Sequence, residues 1–183
     1  MYWYNPLKKN ILFTGGLVLL CTWYACKPEI KETGATLKYF DLKEFFKVDS
    51  ARLVKLNPTV NKTVSHNGES ETKKLQIANW GREFSLFTAS DINKPAWKDS
   101  YAVQQAGDSI VYKAKLPELK TREIVIHQTQ GKVTSVYILN NINNFLYKTT
   151  EKLIYVPGAF YTIEKDQQVK VMGANNYLVK GVF

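Results

Sequence analysis

The side chains able to do acid–base chemistry are few and stand apart. Two histidines occur, His66 and His127. A histidine works as a base or metal ligand when a carboxylate, a hydroxyl or a second ligand stands at a suitable spacing. Here His66 adjoins Asn67-Gly68, His127 closes a run rich in isoleucine and valine, and neither belongs to a His-Glu-x-x-His pattern. No Gly-x-Ser-x-Gly elbow, Walker loop or dinucleotide glycine fingerprint occurs. Glu69 and Glu71 are two residues apart, so on a strand they share one face beside a turn and read as solvent-facing. A glycosidase instead needs two acids facing each other across a cleft. The expectation is a protein that is not an enzyme, with no metal and no cofactor.

Binding chemistry is better represented. The segment from Asp91 to Tyr101 follows an aromatic stretch and holds Lys94, Trp97, Lys98 and Tyr101 where no periodicity asks for apolar bulk. Loops on a rigid scaffold often carry binding residues. Trp97 would stack on an apolar or sugar face while Lys94 and Lys98 meet an anion. The plain alternative is that Pro95 makes a corner and Trp97 plugs one open end of a sheet. Trp80, Phe84 and Phe87 lie at i, i+4 and i+7, the spacing of one helical face; they read first as core and second as the lining of an apolar cavity.

The third kind of chemistry is covalent attachment. Lys8-Lys9 is followed by the apolar run Ile11 to Leu20 and then by Thr22-Trp23-Tyr24-Ala25-Cys26. A charged start and a core shorter than the roughly 20 apolar residues of a membrane span mark an export signal. With Ala25 as the small residue before Cys26, the segment resembles a bacterial lipoprotein signal peptide in its Bacteroidota-type form. The resemblance implies that residues 1–25 are removed and that Cys26 is acylated, palmitate included. It implies an outer-membrane address, with the domain facing the periplasm or the cell surface. Cys21, inside the apolar run, is the weaker site. A cleaved secretory signal with incidental cysteines and an uncleaved anchor are the alternatives.

Composition agrees with that address. Both cysteines fall in the first 26 residues, so a chain starting at Cys26 has no partner for a disulfide. Removal of the leader takes away two lysines and no acid from a formal charge of +9. The remaining basic residues are dispersed among acids and apolar residues. That pattern argues against nucleic acid as a partner and fits a solvated surface, or attraction to anionic headgroups or acidic glycans. Residues 26–36, with Pro28 and Gly34 and no periodicity, read as a tether, and 37–183 as a single domain.

The elements that position these groups follow from period and punctuation. Asp41 with Glu44 forms a capping-box signal, and Leu42, Phe45, Phe46, Leu53 and Leu56 then share one helical face until Asn57-Pro58. Alternation around Asn67-Gly68 predicts a hairpin, and Asn79 predicts the cap of a second helix. From Tyr101 onward seven strand-like runs (101–106, 109–116, 122–128, 132–140, 145–156, 160–172 and 177–183) are separated by short turns, which forces antiparallel neighbours.

The predicted fold is α+β: a strongly curved antiparallel meander sheet of about eight or nine strands with two amphipathic helices on its concave face. Tyr177, Val179, Gly181 and Phe183 are similar to the closing strand of an outer-membrane barrel, but two core-type helices and short, charged strands oppose that reading. A bent sheet under an aromatic lid, tethered by lipid, looks like the Lol carriers of lipoprotein acyl chains in architecture alone. The functional expectation is a non-catalytic binding or structural module of the cell envelope, anchored to the membrane through Cys26, with an envelope protein, lipid or glycan as partner. An apolar-ligand carrier is the runner-up, and a hydrolase comes third.

Overall fold

The structure, a computed structural model, describes residues 37–171 and 173–183. The expected leader, both cysteines and the expected tether lie outside the described residues. Residues 37–183 form one compact unit.

Helix α1 (Leu42–Leu56) starts where Asp41 Oδ1 accepts the Glu44 amide at 2.9 Å. It ends at Asn57, whose φ of 43° puts it in the left-handed region before Pro58. Leu42, Phe46, Asp49 and Leu53 make its buried stripe. Apolar periodicity places Leu56 on that stripe, but Leu56 is exposed. Asp49 faces inward instead, because its carboxylate accepts from the Tyr155 hydroxyl and from Arg52 Nε.

Strands β1 (Thr59–His66) and β2 (Glu69–Gln76) form the expected hairpin, with both turn residues, Asn67 and Gly68, at positive φ. Asn79 then accepts the Arg82 amide at 2.8 Å. Where one helix is predicted, two short ones follow, α2 (Trp80–Glu83) and α3 (Ser85–Ala89), joined at Phe84. The aromatic stripe survives the joint: Trp80, Phe84 and Phe87 are each at most 1% exposed.

A turn of 3-10 helix (Pro95–Trp97) leads into β3 (Tyr101–Ala106), β4 (Ser109–Ala114), β5 (Thr121–Thr129), β6 (Lys132–Asn143), β7 (Tyr147–Val156), β8 (Phe160–Val169) and β9 (Gly173–Val182). All nine strands join one antiparallel sheet in the order β2-β1-β9-β8-β7-β6-β5-β4-β3. β3 to β9 is the meander. The hairpin joins it through β1 on β9, a pairing with no local sequence signal. The sheet stays open, with β2 and β3 as its edges.

Inward positions alternate along the central strands: Ile124 and Ile126 on β5, Val136 and Ile138 on β6, Leu153 and Tyr155 on β7. The helices meet that face through rings. Phe46 lies 5.3 Å and Phe84 5.0 Å from Tyr155, and Phe84 lies 5.7 Å from Tyr161 on β8. At about 1.5–3 kcal/mol for each large side chain buried, this aromatic cluster is a principal source of stability.

Candidate functional site

The β5–β6–β7 register builds a polar site beside the aromatic cluster. Asn140 on β6 is the direct partner of Thr121 on β5 and of Glu151 on β7, and Glu151 is the partner of Lys165 on β8. All three side chains next to the core here, Thr121, Asn140 and Glu151, are buried. Asn140 Nδ2 donates to Ser90 Oγ at 2.8 Å and to Glu151 Oε2 at 3.2 Å. Lys120 Nζ stands 3.4 Å from Glu151 Oε2, and Lys165 Nζ 3.9 Å from Oε1. A carboxylate buried this deeply needs such partners. Asn140 Oδ1 is buried and has no hydrogen-bond partner. A buried acceptor left open is costly, so the stability of this cluster rests on its remaining hydrogen bonds.

Ser90 ties this cluster to the loop singled out in the sequence. Its carbonyl accepts from Thr121 Oγ1 at 3.2 Å, and its neighbour Asp91 is buried with Lys43 Nζ at 3.8 Å. Burial pushes the Asp91 carboxyl above its ordinary range, against the opposing pull of Lys43 and of a hydrogen bond from Asn93. Asn93 clamps the start of the domain: its side chain accepts the Tyr39 amide at 3.1 Å and donates to the carbonyls of Tyr39 and Phe40.

Lys94 places Nζ 3.9 Å from the centre of the Trp97 ring. Its residue is exposed as a whole, but its end over the indole is partly desolvated. That burial, with Lys43 and Lys120 nearby, holds its ammonium below the usual lysine range, and Asp91 opposes the shift. Lys43 pairs with Asp91, Lys120 and Lys165 pair with Glu151, and with Lys94 nearby the four lysines outnumber Asp41, Asp91 and Glu151: an anion-attracting rim over a polar floor.

The other expected site residues divide in two groups. Trp97 is half-buried at the edge of the core, 6.4 Å from Tyr101, which matches both the plug and the stacking reading. Lys98 is exposed, and its carbonyl accepts from Tyr39 Oη at 2.6 Å. Tyr101 is buried and donates to the Thr121 carbonyl at 2.9 Å; burial pushes its phenol up to about 12, so it stays a neutral donor. Trp80, Phe84 and Phe87 pack on other rings, with Phe46 4.9 Å from Phe87 and Phe183 stacked 5.5 Å from Trp80. They have no open face for a ligand.

An open cleft of about 700 Å³ adjoins the rim. Lys120, Arg122, Lys148 and Glu118 contribute its charges, and Thr149 and Asn141 part of its wall. Comparison with known protein families, curated proteins and solved structures found no match.

The histidines lie elsewhere. His66 stacks on Tyr177 at 4.5 Å, and both are exposed. His127 Nδ1 is 2.5 Å from Ser109 Oγ, its direct cross-strand partner. That is a hydroxyl–imidazole pair, but it is exposed, and among the described residues no carboxylate is hydrogen-bonded to the ring to orient it, the third element of a working triad. Among the described residues no three His, Cys, Asp or Glu side chains converge as metal ligands.

Asn140, Glu151, Lys120 and Lys165 were missed by motif reading. A signal existed. In Val136-x-Ile138-x-Asn140 and Glu151-x-Leu153-x-Tyr155 a polar residue takes an inward position of an apolar alternation.

Proposed function

We propose that the protein is a lipoprotein of the bacterial cell envelope, anchored to the outer membrane through acylated Cys26, whose domain binds an anionic, hydroxyl-bearing glycan without transforming it. The observation that carries the binding reading is the lysine rim around Asp91 and Glu151 beside an open cleft. The lysines select negative charge, and the indole of Trp97 offers a face for a sugar ring. We further read the sheet as strongly curved with the helices on its concave face, a reading supported by the ring contacts from α1 and α2 to β7 and β8.

The same ring contacts weigh against the carrier of acyl chains. Phe46, Phe84, Phe87, Tyr155 and Trp80 fill the space between helices and sheet with one another, which supports a filled core over a cargo cavity. One observation favours a hydrolase as a second reading, the Ser109–His127 pair. Ester hydrolysis abolished by Ser109→Ala carries that reading, and activity unchanged by it removes it.

Two experiments test the first reading. Calorimetric titration with an acidic oligosaccharide should show binding that weakens with salt and falls about tenfold in Lys94→Gln and in Trp97→Ala. Equal affinity of both variants rejects the site. Mass spectrometry of the protein from isolated envelopes should find an acylated chain starting at Cys26; an unmodified chain starting elsewhere rejects the anchor.

A further inference from the structure

Phe145, Leu146 and Val171 are the three most exposed large apolar side chains among the described residues. They are 79%, 64% and 94% exposed. Phe145 and Leu146 form the β6–β7 turn, and Val171 sits in the β8–β9 turn beside it. The turns themselves do not need apolar side chains, since polar residues serve a turn as well. Three exposed apolar side chains in two adjacent turns are a patch rather than scatter.

The tip is held in shape. Asn144 Oδ1 accepts the amides of Leu146 and Tyr147, both at 2.9 Å, which projects Phe145 and Leu146 outward. The Lys170 amide donates to the Leu146 carbonyl at 3.1 Å, joining the two turns. Lys170 Nζ lies 3.7 Å from the centre of the Phe145 ring. Residues 141–148 and 167–174 contain Lys148 and Lys170 and no acid. An apolar point inside a basic collar is the chemistry of an anionic bilayer surface: the rings and aliphatic groups enter the acyl boundary and the ammonium groups stay with the headgroups.

The start of the domain lies at the same end of the sheet. Tyr39 Oη donates to Lys98 O at 2.6 Å, Lys38 pairs with Asp99 at 2.6 Å, and the Tyr39 ring sits 5.7 Å from Tyr101, the first residue of β3. In this antiparallel order the start of β3 and the ends of β6 and β8 share one end of the sheet. We propose that the Phe145–Leu146–Val171 tip is a second membrane contact, which inserts into an anionic leaflet and orients the domain. This orienting role rests on the Cys26 anchor proposed above, because an anchored chain then enters the domain at its membrane-facing end.

The test uses a chain starting at Pro28, which keeps every core residue and lacks both cysteines and the apolar leader. Its probe is vesicles of phosphatidylcholine with and without phosphatidylglycerol. We expect binding to the anionic vesicles. Phe145→Ser with Leu146→Ser should lower the partition coefficient at least about tenfold. Lys148→Gln with Lys170→Gln should remove about 25-fold of the preference for anionic vesicles, about fivefold per lysine. Val171→Ser, at a side chain the fold does not use, gives an independent reading and should weaken binding several-fold. Absence of binding by the unaltered chain overturns the proposal, as does undiminished binding by the tip variants. Equal loss in Val54→Ser on the outside of α1 also overturns it, by moving the contact away from the tip. Because Cys26 is absent from this chain, vesicle binding and acylation fail separately.

Discussion

Gly181 offers a sharp test of the packing. It lies on β9 directly opposite Tyr161 of β8, and the phenol ring lies over it so closely that an added Cβ would come within 2.6 Å of Tyr161 Oη and closer still to the ring carbons. The ring has nowhere to retreat. It is flanked by Phe84 at 5.7 Å, Phe183 at 6.3 Å and Trp80 at 6.4 Å, and its hydroxyl donates to Glu83 Oε1 at 2.6 Å. Gly181→Ala therefore forces strain together with the loss of that hydrogen bond. Overpacking in a filled core costs about 1–3 kcal/mol. A hydrogen bond to a charged acceptor adds about 1.5–3 kcal/mol. Replacing a strand-interior glycine by alanine returns about 0.5–1 kcal/mol. The net expectation is a loss of about 3 kcal/mol, or roughly 6–12 °C for a domain of this size. Thermal and urea unfolding of Gly181→Ala, Tyr161→Leu and the double variant measure it. In the double variant the methyl takes space vacated by the ring, so the two costs should fall short of their sum by at least about 1 kcal/mol. An alanine variant as stable as the parent, or strictly additive costs, refutes the argument.

Further outcomes follow from single contacts. Asp91 has a raised carboxyl pKa in the folded state, so its protonated form favours folding: the stability it contributes is fully present below its ordinary carboxylate range and is lost as pH rises through the raised value. Asp91→Asn should therefore melt higher than the parent at neutral pH, and the gap should close on acidification, as pH-dependent melting will show. Asp41→Ala removes the cap of α1 and should cost about 1 kcal/mol in urea unfolding, against a negligible effect of a change at exposed Lys55. Phe46→Ala, at a fully buried ring that touches Phe84, Phe87 and Tyr155, should cost about 3–5 kcal/mol and open a cavity detectable by small apolar probes.

Local chemistry made most of the elements legible. Caps at Asp41 and Asn79, the stop at Asn57-Pro58 and the Asn67-Gly68 turn each act within a few residues, and each stands where expected. The meander followed from turn spacing, because short connections leave neighbouring strands one way to pair. The place of β1 against β9 was not legible, since it joins residues more than a hundred positions apart and rests on edge complementarity rather than on a motif. Asp49 was missed because the apolar periodicity of α1 treats an acid as outward-facing, and only the Tyr155 hydroxyl on a distant strand makes the inward position tenable. The Asp91–Tyr101 loop was readable as unusual. Its floor was not, because Asn140 and Glu151 become partners only when β6 and β7 pair in register.

The position of β9 bears on the order in which the chain becomes a protein. Residues 59–76 form a hairpin early in the chain, yet the only strand beside it in the described sheet, apart from its own two arms, is made of residues 173–182. A chain that emerges from a channel N-terminus first therefore exposes that hairpin, and the inward face of α1, while nearly everything downstream is still in transit. Loop closure over so long a separation is slow and comes late. The inner edge of that hairpin therefore stays unpaired until residues 173–182 are available to it.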